Sequence, residues 1–419
     1  MINHPSVVAF AVVMATCSHA STQLNVSILD LGTEENQFQP EQLSGDGRTV
    51  IGTFFTDRDL PVPTETQQTY RYTRPYRWTV ESGNEFLPVP DRPIDTTSRF
   101  FDASAAYSVN YDGSVIVGTT NSSAFRWTRE DGYVDLNNEW GATRSSAVGV
   151  SDDGQRVIGR RYYAGVSNSP YGWDSNSGFF LPESTIEHAD RVSPGVISGD
   201  GKVVFGSYLF DPPTETRPNP PSRVFRWSEE SGHTPIETIA PAEDWNTSVS
   251  GTNRNGTVMY GTVWDPIGLT RKAFVWDEQS GMSYLEGDPV PLSVDLENPQ
   301  VKFSAVSGIT ADGSLLFGNY LIGILEDDPF HAFVWTKESG IVEFNDYLEQ
   351  LGIDLSDELG DGRVVALRSV SDDGRTFLTG YQYEDEGFDF VVLTILAPSG
   401  AVVLMLTGLA VTRRRRTSM

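Results

Sequence analysis

Ser151-Asp-Asp-Gly-Gln-Arg-Val-Ile-Gly159 reads as a tight turn leading into a strand. Gly154 supplies the positive φ that hairpin turns require. Ahead of the turn, Ala147-Val-Gly-Val150 is a first apolar strand, and Arg156-Val-Ile158 after it is a second. Tyr171-Gly-Trp173 follows as a third strand, Asp174 to Gly178 turn the chain, and Phe179-Phe-Leu181 is a fourth. Four antiparallel strands in about 45 residues have the size and order of one β-propeller blade.

The phrase recurs. Its other copies are Ser44 to Gly52, Asn110 to Gly118, Ser198 to Gly206, Asn253 to Gly261, Thr310 to Gly318 and Ser371 to Gly380, seven in all. Third strands recur with them, as Pro75-Tyr-Arg-Trp78, Ala124-Phe-Arg-Trp127, Val224-Phe-Arg-Trp227, Ala273-Phe-Val-Trp276 and Ala332-Phe-Val-Trp335. Turns such as Glu81-Ser-Gly83 and Glu338-Ser-Gly340 come next. A Trp at one fixed place in six of the seven units is a packing residue between neighbouring sheets. The last copy lacks a fourth strand, and Val26-Ser-Ile-Leu-Asp-Leu31 precedes the first turn without a blade of its own. Pairing the two would close a ring and remove both open edges. The expected fold is therefore all-β, a seven-bladed propeller over residues 21–395, with six or eight blades as alternatives.

The 419 residues carry a formal net charge of −27, and four of the arginines are gathered in Arg413 to Arg416. Phosphate binding needs clustered Lys and Arg, so the acidic body excludes nucleic acid as a partner class. The single cysteine, Cys17, lies before the repeats, which rules out a disulfide or a thiolate metal site within them. Val7 to Thr16, followed by Ser18-His19-Ala20, reads as a secretory signal peptide over residues 1–20, with lipidation at Cys17 as the alternative. Residues 396–419 combine Ala397-Pro-Ser-Gly400, an apolar run from Ala401 to Thr412 and the Arg cluster. That layout is similar to the PEP-CTERM class of bacterial sorting signals, which implies a sorting protease of the exosortase type as a partner and transient anchoring by a C-terminal membrane helix. Here Ala-Pro-Ser-Gly stands in place of Pro-Glu-Pro, and the other reading is a plain membrane tail. Either way the body is exported, to the cell surface, outer envelope or extracellular space, and reads as a monomer.

The phrases Ser/Asn-x-Asp-Gly-x-x-Val-x-Gly and Ala-Phe-x-Trp, with His331-Ala-Phe333 and Leu29-Asp-Leu-Gly32, resemble the HAF family of extracellular bacterial repeats. The resemblance covers nearly all of the body and implies an exported propeller-type repeat protein without an assigned catalytic residue.

No nucleophile elbow, zinc-binding His pair or phosphate loop is present, and His188, His233 and His331 are the histidines of the body. The sequence nominates no catalytic and no cofactor-binding residue. Loops between second and third strands, and between blades, vary in length, which points to the face opposite the uniform Asp-Gly turns as the binding face. On it, Glu326, Asp327 and Asp328 correspond to Glu384, Asp385 and Glu386 of the next repeat, a set able to offer oxygen ligands to calcium. The Asp before each turn Gly is structural, since Asn255 replaces it once. Asn345 to Asp354 is expected to form a short helix capping that face. The leading function is a non-enzymatic binding module for surface polysaccharide or protein. The rival is an extracellular carbohydrate-active hydrolase or lyase with carboxylates on the loop-rich face.

Overall fold

The computed structural model describes residues 23–396 except 34–35, 60–68, 91–103, 121, 137–143, 164–165, 182–185, 188, 211–219, 267–268, 291–301, 323–329 and 385–386. The two terminal segments, residues 1–20 and the tail beyond Leu396, lie outside it. Among the described residues no helix is long and apolar enough to cross a membrane.

Strands dominate, in sheets built mostly of four antiparallel members. The third repeat shows why. Arg144–Val150, Arg156–Tyr163 and Val166–Asp174 pair in chain order, and the short Gly178–Phe179 completes the sheet. The strands run longer than their apolar cores, because pairing continues through Arg160↔Pro170 and Arg161↔Ser169 into polar sequence. The first strands of repeats one to seven are Asn36–Leu43, Ala105–Val109, Arg144–Val150, Ala189–Ile197, Asn246–Thr252, Lys302–Ile309 and Gly362–Val370.

Two departures from a plain four-strand plan appear. Gly32–Thr33 adds a fifth strand to repeat one. Repeats five and six share one sheet, because Thr270 and Arg271 pair in parallel with Lys302 and Phe303. At the ends of the array, Gln23–Ile28 pairs antiparallel with Phe388–Leu396, from Gln23↔Leu396 to Ile28↔Val391.

The core lies between repeats. On an antiparallel strand, residues two apart share a face. Phe125 and Trp127 accordingly pack with Ile51 of the preceding repeat, while Ala124 packs with Ala147 and Val157 of the following one. Leu378, Phe390 and Val392 of repeat seven pack with Leu43, Val50 and Trp78 of repeat one. The recurring Trp is thus the packing residue its fixed place implies: Trp78, Trp127, Trp227, Trp276 and Trp335 are all buried.

The turns repeat one hydrogen-bond pattern. Ser198 Oγ donates to Asp200 Oδ1 at 2.7 Å, accepts from Val203 N at 3.0 Å, and Asp200 Oδ1 also accepts from Lys202 N. Ser44/Asp46, Ser151/Asp153, Thr310/Asp312 and Ser371/Asp373 do the same. Asn255 Oδ1 accepts from Thr257 N in the one turn lacking Asp. Backbone bonds then stitch turn to turn: Asp46 N to Tyr111 O, Asp152 N to Gly199 O, Asp200 N to Arg254 O, Ala311 N to Asp372 O, and Asp372 N to Gly45 O.

Candidate functional site

Each first strand carries a β-bulge at the same place, three residues before the Ser, Asn or Thr that opens the turn phrase. The bulged residues are Glu41, Tyr107, Val148, Gly195, Ser250, Ser307 and Arg368. A bulge inserts one unpaired residue and re-aims it out of the ladder. All seven line a single cavity of about 410 Å³. The last Gly of the phrase makes the bulge possible. At Gly52, Gly118, Gly159, Gly206, Gly261 and Gly318 a Cβ would overlap the carbonyl oxygen two residues before the bulge. Repeat seven differs, since Thr379 stands opposite Leu367, the residue before its bulge.

Four residues further on, the second position of six of the seven turns forms another layer. Gly45, Tyr111, Asp152, Gly199, Arg254 and Asp372 also line the cavity. Here chemistry concentrates. Arg254 Nε lies 2.6 Å from Asp152 Oδ2, and its guanidinium sits 4.6 Å above the centre of the Tyr111 ring. Gly199 gives Asp152 its room, since a Cβ there would strike the carboxylate. Gly45 does the same for Tyr111 and Asp372. Burial, together with the neighbouring Asp152 charge, pushes the Asp372 carboxyl up to about 6, against the opposing pull of Arg254. Burial also raises Asp152, with Arg254 again opposing.

In the bulge layer, Glu41 lines the cavity with its side chain exposed to it. Burial raises its pKa although Thr53 Oγ1 donates to Oε1 at 3.1 Å and Arg368 attracts its charge. Arg368 lies 5.3 Å over the Phe390 ring. Burial raises the Tyr107 phenol as well, and the Glu41 charge adds to the effect.

The Asp-Gly face, read from the sequence as the uniform one, also carries polar groups that line this cavity. The Asp before each turn Gly is structural, but its neighbour one residue earlier supplies the densest polar cluster on the channel. Sequence reasoning missed Tyr111, Asp152, Arg254 and Asp372. Their signal is the variability of that position inside a constant phrase.

On the opposite face, Phe344–Gln350 forms the expected short helix and Ser356–Leu359 adds a turn of helix. They border a groove of about 940 Å³ reached by His331, Glu343, Asp346, Arg363 and Glu384. His331 stacks on Tyr320 at 4.8 Å, its Nδ1 3.5 Å from Glu343 Oε1, and Tyr320 Oη bonds the same carboxylate. His233 is buried against Phe225, and burial lowers its pKa. His188 lies outside the described residues. Of the nominated calcium ligands, Glu326, Asp327, Asp328, Asp385 and Glu386 also lie outside them. Glu384 is exposed and donates its N–H to the Asp361 carbonyl. Among the described residues no group of three or more His, Cys, Asp or Glu side chains is placed to hold a metal ion.

No protein-family model matches the chain, and no curated protein matches it. Solved structures do. The β-propeller domain of the Trilobed protease from Pyrococcus furiosus, of open velcro topology, aligns with a TM-score of 0.50 at 8% identity, over 88% of this chain and 99% of that one. The fold is a β-propeller. Also similar are TolB from Acinetobacter baumannii, at a TM-score of 0.40 and 10% identity over 84% of this chain, and an oligogalacturonate lyase in complex with manganese, at 0.43 and 11% over 91% of this chain and 99% of that one. The chain spans 65% of the length of that TolB. At these identities the likeness is one of fold.

Proposed function

We propose that this propeller is a seven-bladed ring, exported from a bacterial cell, that binds a surface polysaccharide or protein through its central channel without turning it over. The observation that carries the reading is the set of seven bulges, each placing one residue, and six of them a side chain, on one cavity. Seven first strands bordering one space support the blade count. Pairing of Gln23–Ile28 with Phe388–Leu396, and the Asp372 N–H to Gly45 O bond, support closure by the N-terminal strand. Export rests on the character of residues 1–20 and 396–419, including handling of the tail by a membrane protease of the exosortase type.

The channel wall is rigid, because the strands that carry it are tied into inter-repeat cores. Rigid placement of a few polar groups around a cavity is what a binding site needs. Screening the secreted form against glycan and protein arrays, beside activity screens on acidic and neutral polysaccharides, tests the reading. Binding without turnover supports it.

One observation favours the enzyme instead. Asp152 and Asp372 converge with Tyr111 and Arg254, and a carboxyl held near 6 is suited to proton transfer close to neutrality. Turnover of any polysaccharide that disappears in both Asp152→Asn and Asp372→Asn would establish the hydrolase or lyase reading in its place.

A further inference from the structure

We infer that the channel takes a neutral saccharide, with a sugar ring face on Tyr107 and its hydroxyls on Arg368, Glu41, Ser250 and Ser307. This rests on the reading of the channel as the binding site and adds the class of ligand.

The cavity carries charged groups of both signs, three carboxyls and two guanidiniums. An anionic ligand must approach Glu41, Asp152 and Asp372, and a cationic one must approach Arg254 and Arg368. Arg254 is already paired with Asp152. Glu41 and Arg368 stand on the bulges of repeats one and seven, near enough for the guanidinium to act on the carboxylate. A ligand of either sign therefore meets repulsion from one set of groups along with attraction to the other. A neutral polyol uses both sets, because each hydroxyl donates and accepts. Bonds to charged partners are about twice as strong as neutral ones.

The unused bonding capacity fits the same ligand. Among the described residues Arg368 makes no ion pair and no hydrogen bond, and its guanidinium lies 5.3 Å over the Phe390 ring. Glu41 spends Oε1 on Thr53, leaving Oε2 to accept. Ser307 Oγ accepts from Asn319 Nδ2 at 3.0 Å and keeps its proton to donate. Tyr107 is 44% exposed and presents an aromatic surface to the cavity, whereas the Tyr111 ring is covered by Arg254. Its electron-rich face attracts the polarised C–H groups of a pyranose ring. On the bulges of repeats three and four, the small Val148 and Gly195 leave space for the ring. A cavity of about 410 Å³ admits a short stretch of glycan and excludes a folded partner.

The test is calorimetric titration of the full chain with neutral gluco-, xylo- and manno-oligosaccharides, a trigalacturonate and a short basic peptide, each at two salt concentrations. A neutral oligosaccharide is expected to bind, with less than a twofold change between about 50 and 500 mM salt. Tyr107→Ala should weaken it at least tenfold and Arg368→Gln at least fivefold, with thermal unfolding unchanged. Failure of every neutral oligosaccharide to bind overturns the inference. Uronate or peptide binding that is salt-sensitive and lost in Tyr107→Ala overturns it too, while leaving the channel as the binding site. A saccharide whose affinity is untouched by both variants binds elsewhere, and then the channel reading fails as well.

Discussion

Arg254, from the turn of repeat five, meets Asp152, from the turn of repeat three, with Nε 2.6 Å from Oδ2. The intervening turn is occupied at the same position by Gly199, whose missing side chain lets the carboxylate lean across. Arg254 also covers the Tyr111 ring of repeat two. One cation thereby links three turns around the channel.

Removing that cation leaves Asp152 and Asp372 facing each other without an opposite charge. Arg254→Ala should cost about 1 kcal/mol at pH 7, the partial exposure of the pair keeping the figure small. The cost should shrink toward pH 3.5, where both carboxyls are protonated and need no partner. Urea denaturation at the two pH values measures it, and an equal loss at both would contradict the electrostatic account.

Asp372 itself is destabilising when charged. Its folded-state pKa of about 6 lies above the 3.8 of an unperturbed Asp, so the folded protein holds a proton that the unfolded chain has released. Stability from this group therefore falls as pH rises from about 4 to 6 and stays low above that. Asp372→Asn should stabilise by roughly 1 kcal/mol at pH 7, after allowance for screening by channel water, and should be neutral at pH 4. A variant less stable than wild type at pH 7 would show that the carboxylate has a structural partner.

Two glycines separate two kinds of demand. At Gly118 a Cβ would overlap the Ala105 carbonyl oxygen at the bulge. At Gly132 the φ is +65° and the space around it is open. Gly132→Ala should cost about 1–2 kcal/mol, the penalty of a left-handed backbone with a side chain. Gly118→Ala should cost more than about 3 kcal/mol or abolish folding, because backbone must move. Chemical denaturation ranks them, and the reverse order would remove the bulge explanation.

The turn carboxylates set a limit in acid. Burial works to raise Asp200 and Asp312, but hydrogen bonds from Ser198 and Lys202 N, and from Thr310 and Ser314, outweigh it and hold both below the ordinary Asp value. Lowered pKa values stabilise above pH 4, and that stabilisation is lost as pH falls through the folded value. Asp200→Ala should therefore cost about 0.5–1 kcal/mol at pH 7 and markedly less at pH 2.5, read from thermal unfolding across pH.

The architecture was legible because its signals are periodic. Asp-Gly turns, Ala-Phe-x-Trp strands and the unpaired Val26–Leu31 segment each follow from local backbone or packing chemistry, and Phe125, Trp127 and Ala124 divide between neighbouring cores as strand alternation requires. The site was not legible. A bulge adds one residue to a strand and breaks the alternation that sequence reading relies on. Glu41, Tyr107 and Arg368 therefore read as ordinary strand residues. Asp152 and Asp372 looked like extra turn formers beside Asp153 and Asp373, and only the juxtaposition of distant turns gives them Arg254 and each other as neighbours.

Filling the channel is the most direct test of what it is for. Ser250 stands on the bulge of repeat five, exposed to the cavity and without a hydrogen bond among the described residues. Ser250→Trp places an indole there while leaving the ladder and the inter-repeat cores intact. Calorimetric titration of wild type and Ser250→Trp with the glycan that binds wild type most tightly decides the matter. At least a tenfold loss of affinity with unchanged thermal unfolding is the result this account predicts, and unchanged affinity in the folded variant would contradict it.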